Sequence, residues 1–193
     1  MKELINDENI ELIKKLLVII GDDPTRPGLI DTPKRVLKAY KEYFSGYNQN
    51  PIEILNTQFS QEEYEVDSMI ICRNIEFYST CEHHMAPFTG YAHVAYLPKP
   101  GSKVVGLSKL ARLVDVFAKR LQIQEKLTSQ IANTLFEALE PAGVGVVIKA
   151  RHFCMCSRGV NKQDSEMITS KLIGEFKTNS STRAEFLKLV GCI

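Results

Sequence analysis

The chain has 193 residues, of which 44% are apolar and 24% charged. This is ordinary globular usage, which excludes a disordered chain, and the length is enough to bury a core without disulfide staples. Its 24 Lys and Arg stand against 23 Asp and Glu, a formal net charge of +1, which excludes the global excess of a nucleic-acid binder or a membrane-surface protein.

Residues 3–20 place Leu4, Ile5, Leu12, Ile13, Leu16, Leu17 and Ile20 at helical spacing, and Gly21-Asp22-Asp23-Pro24 stops that helix. Thr32 before Pro33 reads as the N-cap and first-turn proline of a second helix, running through Val36, Leu37, Tyr40 and Phe44 to Gly46. Residues 45–63 are polar and read as a loop. Residues 1–62 are therefore expected to form a helical N-terminal arm, and residues 63–193 the main domain. In that domain Val66–Phe77 and Gly90–Leu97 are rich in β-branched and aromatic side chains and read as strands. Pro98-Lys99-Pro100-Gly101 is a turn. Ser108 opens a helix with Leu110, Leu113, Val114 and Phe117 on one face. A second helix carries Ile123, Leu127, Ile131, Leu135 and Leu139 and stops at Pro141 and Gly143. Val144–Met155 reads as a third strand, residues 165–177 as a weaker fourth, and Ser181–Val190 as a terminal helix. Strands in pairs rather than in strict βαβ alternation predict an α+β fold with an antiparallel sheet. No apolar run approaches the roughly 20 residues of a membrane span. No signal-peptide core opens the sequence, so a cytoplasmic protein with reduced thiols is expected.

The five cysteines and four histidines carry the most information. Three of the histidines lie within three residues of a cysteine, in Cys81-Glu82-His83-His84 and in His152-Phe153-Cys154-Met155-Cys156. Cys81 and His84, three apart at a strand end, can chelate one ion from a single turn. Strand alternation would put His152, Cys154 and Cys156 on one face and Phe153 on the other. Thiolate and imidazole donors suit Zn²⁺, and three protein ligands leave a fourth position for water, the arrangement of a catalytic zinc. On spacing alone, Cys154 and Cys156 compete for the third ligand position. His93 reads as structural, and Cys72 and Cys192 as inert.

Lys109 and Arg112 follow Ser108 at i, i+3 spacing in the first turns of a helix, a pattern suited to phosphate. Arg158-Gly159 lies just past the second cluster. Gln124-Glu125 sets an amide beside a carboxylate, which suits the edge of a guanine. The H-x-E and P-C-x-x-C pair of a zinc nucleobase deaminase is absent.

These motifs together resemble GTP cyclohydrolase I. The resemblance rests on Cys81-Glu82-His83-His84, Gly106-Leu107-Ser108-Lys109 with Arg112, Leu121-Gln122-Ile123-Gln124-Glu125, and His152-Phe153-Cys154-Met155 with Arg158-Gly159-Val160. It extends to Arg26-Pro27-Gly28-Leu29, Asp31-Thr32-Pro33-Lys34-Arg35-Val36 and Thr182-Arg183-Ala184-Glu185-Phe186-Leu187, in the same order from about residue 8 onward. It implies a tunnelling fold, with an antiparallel four-stranded sheet and two helices on one face, assembled as a homodecamer. It implies zinc on Cys81, His84 and Cys154, and GTP between subunits. The triphosphate would lie on Lys109, Arg112 and Arg158, and the guanine against Gln124 and Glu125. The implied reaction opens the imidazole ring at C8, releases formate, rearranges the ribose and closes the pterin ring of 7,8-dihydroneopterin triphosphate, a step towards folate or other pterins. His152 suits the acid/base role, His83 a second proton carrier, and Ser108 either the ribose step or an N-cap. Phe153 stands where the family often has methionine, and Cys156 is an added thiol.

Overall fold

A computed structural model describes residues 4–59 and 66–192. The arm begins with α1 (Asp7–Ile19), where the Asn6 side chain accepts the Asn9 N–H at 2.9 Å. It continues with α2 (Thr32–Tyr43), whose N-cap is Asp31. Thr32 is thus already helical, one residue later in the motif than expected. The segment expected as a loop holds a 3₁₀ turn at Ser45–Asn48, the short α3 (Pro51–Ile54) capped by Asn50, and β1 (Gln58–Phe59). The domain boundary expected after residue 62 lies outside the described residues.

The main domain runs β2 (Ile70–Cys81), β3 (Pro87–Leu97), β4 (Val104–Val105), α4 (Leu107–Ala118), β5 (Leu121–Gln122), α5 (Gln124–Leu139), β6 (Gly143–His152), α6 (Phe153–Cys156), β7 (Met167–Gly174), α7 (Glu175–Thr178) and α8 (Ser180–Leu189). It is a mixed α+β fold. The larger sheet has the order β5-β2-β3-β6-β7, and β1 pairs with β4 in a separate two-stranded sheet. The four long strands are antiparallel, as expected. The sheet nevertheless has five strands, because Leu121 and Gln122 pair in parallel with Thr80 and Cys81. Two residues are too few to show a strand period, which is why β5 was invisible in the pattern.

The expected strand boundaries move: β3 starts at Pro87 rather than Gly90, and β7 spans Met167–Gly174 rather than 165–177, with Glu175–Thr178 forming α7. The first strand starts at Ile70 and reaches Cys81 rather than spanning 66–77. The third ends at His152, and Phe153–Cys156 closes into one helical turn, with the Ser157 N–H donating to Phe153 O at 2.9 Å. An apolar run this short reads the same as strand or as helix.

Alternation along β6 sends Val144, Val146 and Ile148 into the main core, against α5 with its Leu127, Ile131 and Leu135, in the cluster that also holds Leu110, Leu113 and Val114 of α4. The other face is also partly covered, a correction to the expectation of helices on one side. Phe176 and Phe186, from α7 and α8, bury against Ala95 and Val147. Gly145 makes room for them: a Cβ there would come within 2.6 Å of the Phe176 ring. Among the described residues no helix is long and apolar enough to cross a membrane.

β2 carries a bulge between Cys72 and Ile75, with Asn74 at φ 57°. The Asn74 N–H donates to Nδ1 of buried His93 at 3.3 Å. Burial, then the charges of Lys149 and Arg73, hold the His93 imidazole below its usual pKa. Folding therefore favours the neutral ring. That contribution is complete above the unfolded histidine pKa of about 6.5 and is lost as pH falls from there through the folded value. Protonation at Nδ1 would also remove the acceptor for Asn74. Melting curves should show Tm declining below about pH 6.5. His93→Asn, which keeps an oxygen near the place of Nδ1, should flatten that decline even if its absolute Tm is lower. An equally steep decline in the variant would exclude His93 as its source.

Candidate metal centre and active site

Antiparallel register brings the two Cys/His clusters to one end of the sheet. Thr80 pairs with Pro87, so the chain turns back between them through residues 82–86. Met85 takes φ 51° in that turn, its N–H donates to Cys81 O at 2.9 Å, and the Cys81 N–H donates to Ala86 O at 2.8 Å. The Glu82 N–H donates to Gln122 O at 2.9 Å, which pins the turn to β5. Lys126 adds an ion pair to Glu82 at 3.3 Å. One strand over, Phe88 pairs with His152, so α6 emerges beside the turn.

Cys81 Sγ, a ring nitrogen of His84 and Cys154 Sγ lie within 4.8 Å of one another. Cys81 is buried, Cys154 half-buried and His84 exposed. Cys81 Sγ is 3.9 Å from His84 Nδ1. Tetrahedral Zn²⁺, with bonds of about 2.0–2.3 Å, holds its ligand atoms about 3.5–3.8 Å apart. The trio therefore fits such an ion after a shift of about an ångström. Burial, and then the neighbouring Cys81 sulfur, raise the Cys154 thiol above its usual pKa. A bound cation would favour the thiolate form of both sulfurs.

Cys156 sits elsewhere. It is 2% exposed. Its Sγ receives the Arg151 Nε–H at 3.4 Å, and its carbonyl receives the Gln163 side chain at 2.7 Å. The helical turn, rather than the strand expected there, separates the two thiols. Phe153 is exposed, as a side chain facing away from the ligand trio can be.

His152 caps β6 and is half-buried. Its ring stacks on Phe88 with centroids 4.6 Å apart and planes 4° apart. Its Nε2 lies 2.7 Å from Gln124 Oε1. Burial lowers its pKa from the ordinary imidazole value, with partial opposition from Glu125. His83 is exposed beside His84, their rings 6.2 Å apart edge to face.

Gln124 is fully buried, and its amide nitrogen serves Ile148 O at 3.0 Å, Met167 O at 3.0 Å and Thr169 Oγ1 at 3.1 Å. The expectation that this side chain reads guanine does not fit such a placement, because no amide hydrogen is left over. Glu125 is exposed in the first turn of α5. Ser108 is the second residue of α4, which Gly106 precedes as N-cap, so Ser108 does not cap the helix. Ser108 and Arg112 are exposed, Lys109 is half-exposed, and Arg158 is exposed in the loop after α6 beside Gly159 at φ 64°. Among the described residues none of the three cations has an ion pair or a side-chain hydrogen bond. A cleft of about 500 Å³ lies between the arm and β2, lined by Tyr40, Tyr43, Phe44, Tyr78 and Asp115, and includes none of these site residues. Sequence reasoning passed over Phe88, which belongs to no motif, and the inward role of Gln124, whose pairing with Glu125 pointed to substrate instead.

Residues 10–191 match the family described as GTP cyclohydrolase I. The chain is 55% identical over 177 residues to "GTP cyclohydrolase 1" of Wolinella succinogenes, covering 92% of each chain. It is 53% identical over 179 residues to the protein of that name from Leptospira biflexa, covering 93% of this chain and 96% of the relative. A third, from Carboxydothermus hydrogenoformans, is 52% identical over 189 residues, covering 97% and 96%. Among solved structures, the apo form of the archaeosine synthase QueF-Like is 18% identical with a TM-score of 0.45, over 55% of this chain and 94% of that one. So slight a likeness leaves the fold to be read from the strand order itself.

Protein purified without chelator is expected to carry one Zn²⁺ per chain. Cys81→Ser and Cys154→Ser should each lose it, and Cys156→Ser should keep it. Metal analysis decides, and full zinc in a Cys81→Ser, His84→Ala double variant would overturn the assignment.

Proposed function

The chain belongs to the GTP cyclohydrolase I family, and from that premise we propose that it converts GTP and water to formate and 7,8-dihydroneopterin triphosphate, using zinc. The observation that carries this reading is the convergence of Cys81, His84 and Cys154 next to His152. The two thiolates and one imidazole would hold the ion. When bound, zinc supplies Lewis-acid chemistry that activates water near neutral pH for attack on an electron-poor carbon such as C8.

The chain's own residues would do the rest. His152, held against Phe88, moves a proton at the imidazole nitrogens of the guanine as the C8 bonds break. His83, exposed at the turn, would make a second transfer. Lys109, Arg112 and Arg158 bind and orient the triphosphate; their freedom from ion pairs supports this. Glu125 accepts N–H groups of the guanine edge, and Ser108 serves the ribose rearrangement. The product would enter folate or another pterin pathway.

We further propose a cytoplasmic homodecamer built by a tunnelling-fold domain, residues 63–193, behind its helical arm, residues 1–62. Among the described residues, β7 has a free edge and the outer edge of β2 is largely unpaired, which supports assembly by sheet continuation, since exposed edges are otherwise an aggregation hazard. A site between subunits also accounts for residues this open in a single chain.

Incubation with GTP should release formate and, after oxidation, a fluorescent pterin; GTP recovered intact would refute the reading. Lys109→Ala or Arg158→Ala should weaken GTP binding far more than guanosine binding, by about 1.5–3 kcal/mol per contact, or roughly 10- to 150-fold. Equal losses for both ligands would assign these cations to folding. Native mass spectrometry should give a mass near ten chains, and a fully active monomer would exclude the shared site.

A further inference from the structure

Gln124 is buried at the junction of α5, β6 and β7, and its hydrogen bonds form a closed circuit whose proton directions can be worked out. Ile148 O and Met167 O are carbonyl oxygens and only accept, so the end of the Gln124 amide facing them is the NH₂ group. The end facing His152 is therefore the carbonyl oxygen, which only accepts. The 2.7 Å contact then requires the proton on His152 Nε2. The hydroxyls agree with this assignment. Thr128 donates to Gln124 backbone O at 2.7 Å, so the 2.6 Å contact between Thr128 and Thr169 is donated by Thr169. Thr169 Oγ1 is then left to accept from the Gln124 NH₂ at 3.1 Å. Reversing the amide would face its oxygen towards two carbonyls in a buried site, leaving polar groups unpaired at a cost the interior does not tolerate.

We propose that Gln124 is a positioning residue: it holds His152 by an Nε2–H donor, in the plane set by Phe88, and so leaves Nδ1 as the ring nitrogen that meets the substrate. The proposal rests on the reading of His152 given above, and it replaces a guanine contact by Gln124 with an action through another side chain. The 2.7 Å bond and the stacked ring fix two of the imidazole's orientations at once. A histidine held this way needs no reorientation when substrate arrives. Misplacement of a catalytic group by about an ångström can cost roughly 100-fold in rate, so this circuit has leverage on turnover without touching substrate.

The test uses zinc-loaded full-length protein. Gln124→Met keeps volume and removes both hydrogen-bonding ends; Thr169→Val removes one link of the circuit from a half-buried strand position. Each is made alone and in a His152→Ala background, with kcat, KM for GTP and zinc content measured. Expected for Gln124→Met is a kcat loss of about 10- to 100-fold, with KM changed less than about twofold and zinc retained. Thr169→Val should show the same pattern at about 3- to 10-fold. In the His152→Ala background neither should lower kcat further, and GTP affinity by calorimetry should be unchanged. A KM rise of about tenfold, weaker GTP binding in that background, or additive kcat losses would overturn the proposal and restore a substrate contact. If Gln124→Met does not fold, Thr169→Val decides on the same criteria, and unchanged kcat in it would also overturn the proposal. A crystal structure of the variant supplies a reading independent of turnover: His152 should leave the Phe88 plane, and an unmoved ring counts against positioning. Absence of formate release by the unaltered enzyme would remove the proposed activity, while the ring's displacement would still decide what Gln124 does.

Discussion

The antiparallel register of three strands is the constraint on which the site depends. Thr80 opposite Pro87 fixes where β2 ends and the ligand turn begins. Phe88 opposite His152 fixes where β6 ends beside it. Residues seventy apart in sequence therefore meet without either cluster being locally complete. Because the side-chain period in a strand is two, a slip of one residue between β3 and β6 would turn His152 away from α5 and carry the following turn out of reach of Cys81. The core on the α4–α5 side enforces the register, since the same slip would move Val144, Val146 and Ile148 out of that core and towards the face where Gly145 makes room for Phe176. Chemistry at the sheet's end is thus held in place by burial along its length.

The site's polar groups divide by burial. Gln124, Thr128 and the ring of His152 form a circuit inside the protein, where an unmet donor or acceptor is costly and each proton therefore has a definite place. Arg112 and Arg158 are exposed and Lys109 half-exposed, and among the described residues none has an ion-pair partner, so each remains available to an anion. The first group specifies orientation and the second offers charge. That division explains why a fully buried glutamine next to an exposed glutamate in the sequence does different work from its neighbour.

Much of this was legible in the sequence. Periodicity placed α4, α5 and the four long strands, the spacing of Cys81 and His84 offered a chelating pair, and the resemblance to GTP cyclohydrolase I supplied Cys154 rather than Cys156 as the third ligand. What escaped was short or inward. β5 is two residues long and exists because Gln122 O accepts from Glu82 and the strand pairs with Cys81, a tertiary fact without a local pattern. The end of β6 was misread because His152-Phe153-Cys154-Met155-Cys156 has the composition of a strand. Its turn is supported by partners on either side of it, Arg151 and Gln163, which enclose Cys156. Gln124 was misread for a related reason. An amide beside a carboxylate looks like a recognition pair in one dimension, but α5 rotates successive residues by about 100°, sending one into the core and the other to the surface.

The misread end of β6 also explains how two adjacent functions are kept apart. Had the strand continued, His152 and Cys154 would have shared a face about 6.6 Å apart, both directed at the same space. The imidazole would then compete with His84 as a donor to any ion there, and its proton chemistry would be tied to the ion's charge. The turn that begins at Phe153 breaks this equivalence. His152 keeps the strand's direction, towards Gln124 and the face covered by α5, while Cys154 swings towards Cys81 and His84. One break in backbone period thus gives neighbouring residues separate surroundings: a sulfur set with room for a cation, and an imidazole held by an oxygen and a ring. The same break removes Cys156 from competition, since its sulfur is enclosed by Arg151 and the Gln163 carbonyl. A three-ligand site with an open position can persist next to a spare thiol and a spare imidazole only if the backbone holds both away from it. In this chain, the change from strand to helical turn at residue 153 provides that separation.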